Sequence, residues 1–293
     1  MKRSLGSALV AAMLMGPVAV MVTPTTLQAQ AASADEQRRQ QEFNALAARA
    51  RGSNDADANA AAAEAERLVT KEPWNYRRPA TVVVEALLQS KRYEPAESLA
   101  RAIILGAPTD WWLVNDMQKK RIEAYLGRGR NDDALAAAKG LYNFADFRQI
   151  KQAIDEVARV LQIVDPQDGA ARARRFREQQ QAWLTHAPQE NDPLWPPVLA
   201  DVKVDMSVFQ EYLERPAHSN IYVAAMNRGL VLLLADKPEE AMAAFREASG
   251  LAANEQRKNE VAHAMARALR ARDQCLAPAN EHLKSEGLPT IGL

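Results

Sequence analysis

The stretch Asn220–Ala253 reads NIYVAAMNRGLVLLLADKPEEAMAAFREASGLAA, and its layout sets the fold expected of the whole chain. A largely apolar run reaches Leu234, a short polar turn follows at Asp236-Lys237, and a second run opens with Pro238-Glu239-Glu240-Ala241. Proline loses no hydrogen bond at a first helical position, and the two carboxylates sit at the positive end of the helix dipole. Gly229 in the first run, with Ala241 and Ala248 in the second, are small enough for two helix axes to approach closely. The pattern predicts a pair of antiparallel helices.

The same layout recurs. Tyr93-Glu94-Pro95-Ala96, Asn131-Asp132-Asp133-Ala134 and Leu276-Ala277-Pro278-Ala279 each open a second run after a polar turn. Ala96 to Ala134 and Ala241 to Ala279 are both 38 positions, and a degenerate copy lies 35 before Ala96, around Ala61. Helices are expected over 34–50, 55–71, 76–89, 94–105, 112–126, 132–142, 148–164, 169–185, 205–214, 221–235, 239–251, 256–272 and 276–286. Apolar residues fall at helical spacing, as in Ile154, Val157, Leu161 and Val164. One such hairpin cannot bury its apolar face alone, so several must stack.

These residues resemble the tetratricopeptide repeat. Gly229, Ala241, Phe245 and Ala248 stand where that family has small, small, aromatic and small residues. Pro108 and Pro73 hold the closing-proline position of the copies around Ala96 and Ala61, and Tyr125 the first-helix aromatic position of the copy around Ala134. The departures are Val84, Ile122 and Arg267, which replace the first-helix small residue, and the 38-residue spacing against the family's usual ~34. The resemblance spans about two-thirds of the mature chain. It implies an all-α protein, an α-solenoid of stacked antiparallel helix pairs wound as a right-handed superhelix, with first helices lining an inner binding face.

Four segments are expected: a secretory signal peptide at 1–31, an N-terminal helical repeat array at 32–187, a proline-rich linker or crossover loop at 188–200, and C-terminal repeats at 201–293. Pro188, Pro193, Pro196 and Pro197 cannot continue a helix. A packed loop is preferred to a free linker there, because Leu194 and Trp195 are otherwise spent on solvent. At the N-terminus, Lys2 and Arg3 precede an apolar stretch from Leu5 to Val22, and Ala29-Gln30-Ala31 fits an A-x-A cleavage box. An uncleaved anchor is the alternative; Gly16-Pro17 interrupts the apolar run and weakens it. No cysteine lies near the cut to carry a lipid. The small-residue box and the cysteine-poor mature chain suit a bacterial periplasm, with a secreted protein as the alternative.

Composition narrows the function. At 47% hydrophobic and 25% charged, the chain has apolar surface enough for a core. Lysine plus arginine and aspartate plus glutamate both number 37, so no net field steers nucleic acid or an acidic membrane. Cys275 is the single cysteine, which rules out an internal disulfide and leaves packing to hold the fold. His186, His218, His263 and His282 show no metal-motif spacing, and no nucleotide-binding or nucleophile-elbow glycine pattern is present. Asp132-Asp133 and Glu239-Glu240 are read as helix-start charges, and Arg172, Arg174, Arg175, Arg177 and Lys119-Lys120-Arg121 as solvated faces.

No catalytic residue, metal or cofactor is therefore expected. An enzyme would need a cavity where distant carboxylates and a histidine converge. The expected role is an exported scaffold that binds a protein or peptide; the alternative is a structural or assembly component of the cell envelope. Trp111 and Trp112 are candidate aromatic anchors, because adjacent residues of a helix cannot both enter one groove. Asn115, Lys119, Asn227 and Arg228 are the exposed polar candidates on the first helices.

Overall fold

The computed structural model describes residues 24–146, 150–186, 189, 191–215, 218–272 and 275–291, with side chains from residue 34 onward. The chain divides into two units, Met1–Arg39 and Gln40–Leu293. Among the described residues there are 14 helices and no strand. They are α1 (Pro24–Arg51), α2 (Asp55–Lys71), α3 (Pro73–Tyr76), α4 (Thr81–Gln89), α5 (Tyr93–Gly106), α6 (Trp111–Gly127) and α7 (Asn131–Phe144). There follow α8 (Ile150–Val164), α9 (Gly169–Trp183), α10 (Ser207–Glu214), α11 (Ile221–Leu234), α12 (Pro238–Gly250), α13 (Glu255–Ala271) and α14 (Leu276–Ser285).

The helix expected over 76–89 is interrupted: α3 stops at Tyr76 and α4 starts at Thr81. Pro79 accounts for this, since it has no N–H to donate and disfavours helical geometry at Arg78. The apolar stretch of the expected signal segment, Leu5 to Val22, lies outside the described residues, while Ala29-Gln30-Ala31 falls within α1. No described helix is long and apolar enough to cross a membrane.

Three hairpin turns share one hydrogen-bonding scheme. At α4–α5, Lys91 N–H donates to Leu88 C=O (2.9 Å) and Arg92 N–H to Leu87 C=O (2.8 Å). At α6–α7, Gly129 donates to Leu126 (3.0 Å) and Arg130 to Tyr125 (2.9 Å). At α11–α12, Asp236 donates to Leu233 (3.1 Å) and Lys237 to Leu232 (2.8 Å). Lys91, Gly129 and Asp236 take left-handed φ angles of 58°, 68° and 57°. This is the Schellman ending, which satisfies orphan carbonyls at a helix C-terminus. Ala96, Ala134 and Ala241 thus open equivalent helices after equivalent turns, and all three are buried. Within the α11–α12 pair, a Cβ on Gly229 would lie 2.2 Å from the Phe245 ring, so the small residue and the aromatic specify each other.

Consecutive helices pack on one another from α4 to α9 and again from α11 to α14, and the first helices α4 and α6, and α11 and α13, also touch. In addition, α7 is packed by both α11 and α13. One hydrophobic cluster joins residues of α2, α4, α5 and α6 to residues of α11, α12, α13 and α14. A second holds apolar side chains of α6 to α9 together with Val198, Leu199 and Val202. Polar groups fix the α7 junction. Asn143 Nδ2 donates to Asp236 Oδ1 at 2.9 Å, and Lys139 Nζ lies 2.6 Å from Asp236 Oδ2. Buried Arg270 donates to the carbonyls of Tyr142 and Ala145, both at 2.6 Å.

Pro188 lies outside the described residues; of the two side chains expected to pack, Leu194 is half-buried and Trp195 is not buried. Trp195 is 42% exposed, whereas Val198 and Leu199 are buried. The main chain is held instead. The Gln179 amide accepts from Val198 N–H (2.8 Å) and donates to the carbonyls of Pro196 (3.1 Å) and Leu194. Arg175 donates to Pro196 C=O at 2.7 Å, so this arginine is not part of a solvated face.

Candidate functional site

Two clefts are lined by α11. The first, of about 390 Å³, is lined by Trp111 at the start of α6, by Asp146 just after α7, by Met226 and Leu230 of α11, and by Glu260, His263, Ala264 and Arg267 of α13. Three first helices therefore contribute to one concavity, with Trp111, Met226, Leu230 and Ala264 as its apolar part. Arg267 is the charged one of the three residues, with Val84 and Ile122, that stand where the expected repeat pattern has a small residue. Its Nη2 lies 3.7 Å from Asp146 Oδ2, its guanidinium 5.5 Å from the Phe144 ring, and its buried Nε has no hydrogen-bond partner. Burial lowers the Arg267 pKa to about 10, Asp146 pulls it up, and the neighbouring Arg270 pushes it down again. Burial likewise lowers the Arg270 pKa, and Asp146 acts on both guanidiniums to raise them. Glu260 accepts from the Tyr222 hydroxyl at 2.8 Å.

The second cleft, of about 420 Å³, is lined by Trp74 of α3, Leu105 of α5, Tyr212 and Leu213 of α10, and Ala224, Asn227 and Arg228 of α11, with Arg215, His218 and Glu247. Trp74 is 54% exposed, and the Arg77 guanidinium sits 4.2 Å from its ring centre. Arg77 and Arg78 converge on Asp110 Oδ2 at 3.3 and 3.1 Å, which pins the α3 turn to the start of α6. Burial pushes the Tyr212 hydroxyl up to about 12 despite a hydrogen bond with Asn227.

The sequence candidates separate accordingly. Trp111 lines the first cleft; Asn227, half-buried, and Arg228, exposed, line the second. Trp112 is exposed and stacks on Trp111 with ring centres 4.2 Å apart, but lines neither. Lys119 is half-buried and lines neither cleft. Asn115, expected to be exposed, is buried, and its Oδ1 has no hydrogen-bond partner.

Arg121 also differs from its expected solvated setting. It is buried, and its guanidinium donates to Glu97 Oε1 (3.0 Å), Gln118 Oε1 (3.1 Å) and the Tyr125 hydroxyl (3.0 Å). Tyr125 in turn donates to Glu97 Oε1 at 2.9 Å. Burial alone would raise the Glu97 pKa, but Arg121 and Tyr125 outweigh it and hold the carboxyl below its usual value.

Asp146, Glu260 and His263 were not legible as cleft residues, since they come from two elements more than a hundred positions apart. Arg267 did leave a signal: a charged residue where the repeat pattern asks for a small one. Compared with known proteins, the chain matches no family model, no curated protein and no solved structure.

Proposed function

We propose that this chain is an exported, tetratricopeptide-like α-solenoid scaffold that binds a protein or peptide segment in the cleft between α6, α11 and α13, probing the periplasm of a bacterial envelope for its partner. The observation that carries this reading is the convergence of three first helices on one partly apolar concavity. In a stacked array of helix pairs, first helices form the inner face, which is where an extended segment is bound. Trp111, on which Trp112 stacks, supplies the aromatic anchor. The test is capture from envelope extract with the mature chain as bait, in parallel with Trp111→Ala. A partner retained by the wild type and lost by the variant supports the scaffold. No reproducible partner, or equal capture by both, overturns it.

A second reading keeps one specific observation. Asp146, Glu260 and His263 line the same cleft, which is the convergence of carboxylates and a histidine that an enzyme would need. Against it, Asp146 is engaged with Arg267 and Glu260 with Tyr222. A hydrolytic activity abolished by His263→Ala with the fold intact would favour the enzyme over the scaffold.

A further inference from the structure

We infer that the α6/α11/α13 cleft takes a ligand in which one carboxylate is joined to an apolar group, with Arg267 as the residue that pairs the carboxylate. This rests on the reading of that cleft as a binding site and adds the chemistry of its occupant.

The argument begins with charge. Arg267 and Arg270 bring two guanidiniums into the buried layer between α13 and the end of α7. Arg270 donates from Nη2 to two backbone carbonyls, which solvate its charge without cancelling it, and its buried Nε, like that of Arg267, has no hydrogen-bond partner. Among the described residues, Arg267 is ion-paired with Asp146, and at 3.7 Å this pair is longer than a charge-assisted hydrogen bond. A buried cation with weak compensation is costly, and a second carboxylate brought by a ligand relieves that cost. Arginine is suited to this, since its planar fork offers two parallel N–H groups to a carboxylate and its Nε edge here is unpaired.

The rest of the lining restricts the ligand. Trp111, Met226, Leu230 and Ala264 offer an apolar surface to the body that carries the acid. Asp146 and Glu260 also line the cleft and oppose a second negative charge, so a monoanion is preferred to a phosphate or a dicarboxylate. The volume of about 390 Å³ lies within the range of small-ligand clefts, about 300–1,000 Å³. The carboxylate has two sources, a free organic acid or the terminus of a peptide, and the two share this chemistry.

The experiment titrates the full chain with hexanoate, with its neutral amide hexanamide, and with N-acetyl-Ala-Leu as the free acid and as the amide. Binding is read as a rise in melting temperature and as movement of the Arg267 Nε–H resonance. Both readouts should respond to an acid and not to its amide. Arg267→Gln should weaken acid binding about tenfold or more, as expected for one charge-assisted contact. Asp146→Asn, nearly isosteric, should strengthen it, because the internal competitor is gone; this variant keeps the test decisive should Arg267→Gln fold poorly. A response to hexanoate alone assigns a free acid, and a response to the peptide acid assigns a chain terminus; either supports the inference. Equal responses to acid and amide, no response to any acid, or acid binding unchanged in both variants overturns it. A partner captured in a Trp111-dependent way with no carboxylate response would sink this inference and leave the scaffold standing. The converse result would do the reverse.

Discussion

Gly140 on α7 lies so close to Leu234 on α11 that a Cβ at residue 140 would stand 2.7 Å from the Leu234 carbonyl oxygen. A backbone carbonyl cannot rotate aside as a side chain can, so the small residue permits the contact between the two helices. The polar groups that flank it, Asn143 and Lys139, both reach Asp236 at the end of α11. Helix propensity alone favours alanine over glycine by about 1 kcal/mol. The clash works against that gain, and overpacking of this kind costs about 1–3 kcal/mol. Gly140→Ala is therefore expected to lower the urea midpoint. A variant as stable as the wild type would mean that α7 and α11 are not in this contact.

The repeated turns give a pair of opposite expectations. Lys91 and Gly129 occupy the same left-handed position of the α4–α5 and α6–α7 turns, but only glycine is at ease there. Lys91→Gly should raise stability by up to about 1 kcal/mol and Gly129→Ala should lower it by a similar amount. The two changes run in opposite directions on the alanine and glycine scale, so a general composition effect cannot produce both. Thermal unfolding of the two variants beside the wild type decides it.

Those turns also show how far the sequence could be read. The alanines at 96, 134 and 241 marked real helix starts because a small residue at a helix crossing and a polar turn before it are local requirements, visible within a few positions. The break before Thr81 was legible in principle from Pro79, which lies inside the expected helix over 76–89. The clefts were not legible, for a different reason. Trp111, Asp146 and Arg267 meet only because α7 is packed by α11 and α13, a contact between segments more than ninety residues apart that no local pattern encodes. Lys119-Lys120-Arg121 misled for the same cause: a run of cations looks solvated until Glu97 of α5 is placed against one of them.

The Glu97–Arg121 pair carries a pH dependence whose sign follows from its setting. Glu97 is held below the ordinary glutamate value of 4.5, so it binds a proton less readily folded than unfolded. Its contribution to stability is thus fully present above that value and is lost as pH falls through the lower, folded one. Glu97→Leu leaves the Arg121 cation buried without its carboxylate and should cost about 3–5 kcal/mol at neutral pH. Glu97→Gln keeps the shape but not the charge, so its deficit against the wild type should shrink as the solution is taken below about pH 4.5. Urea midpoints for the two proteins across that interval test this; a gap that stays constant would show that Glu97 is not the titrating group.

Asn115 offers the sharpest separation of stability from binding. It is 6% exposed on α6, four positions after Trp111, and its Oδ1 is buried without a hydrogen-bond partner. A buried amide acceptor left unpaired costs about 1–3 kcal/mol, and an apolar side chain of similar volume has no such cost. Asn115→Leu is accordingly expected to be neutral or to raise the melting temperature. Had the amide been exposed, as the sequence suggested, the same change would add apolar surface and leave stability almost untouched. A stabilised Asn115→Leu that still captures its partner would remove Asn115 from the binding surface and leave Trp111 as the anchor on α6. A stabilised variant that loses the partner would instead show that the packing around Asn115 is coupled to the position of Trp111, one turn earlier on α6.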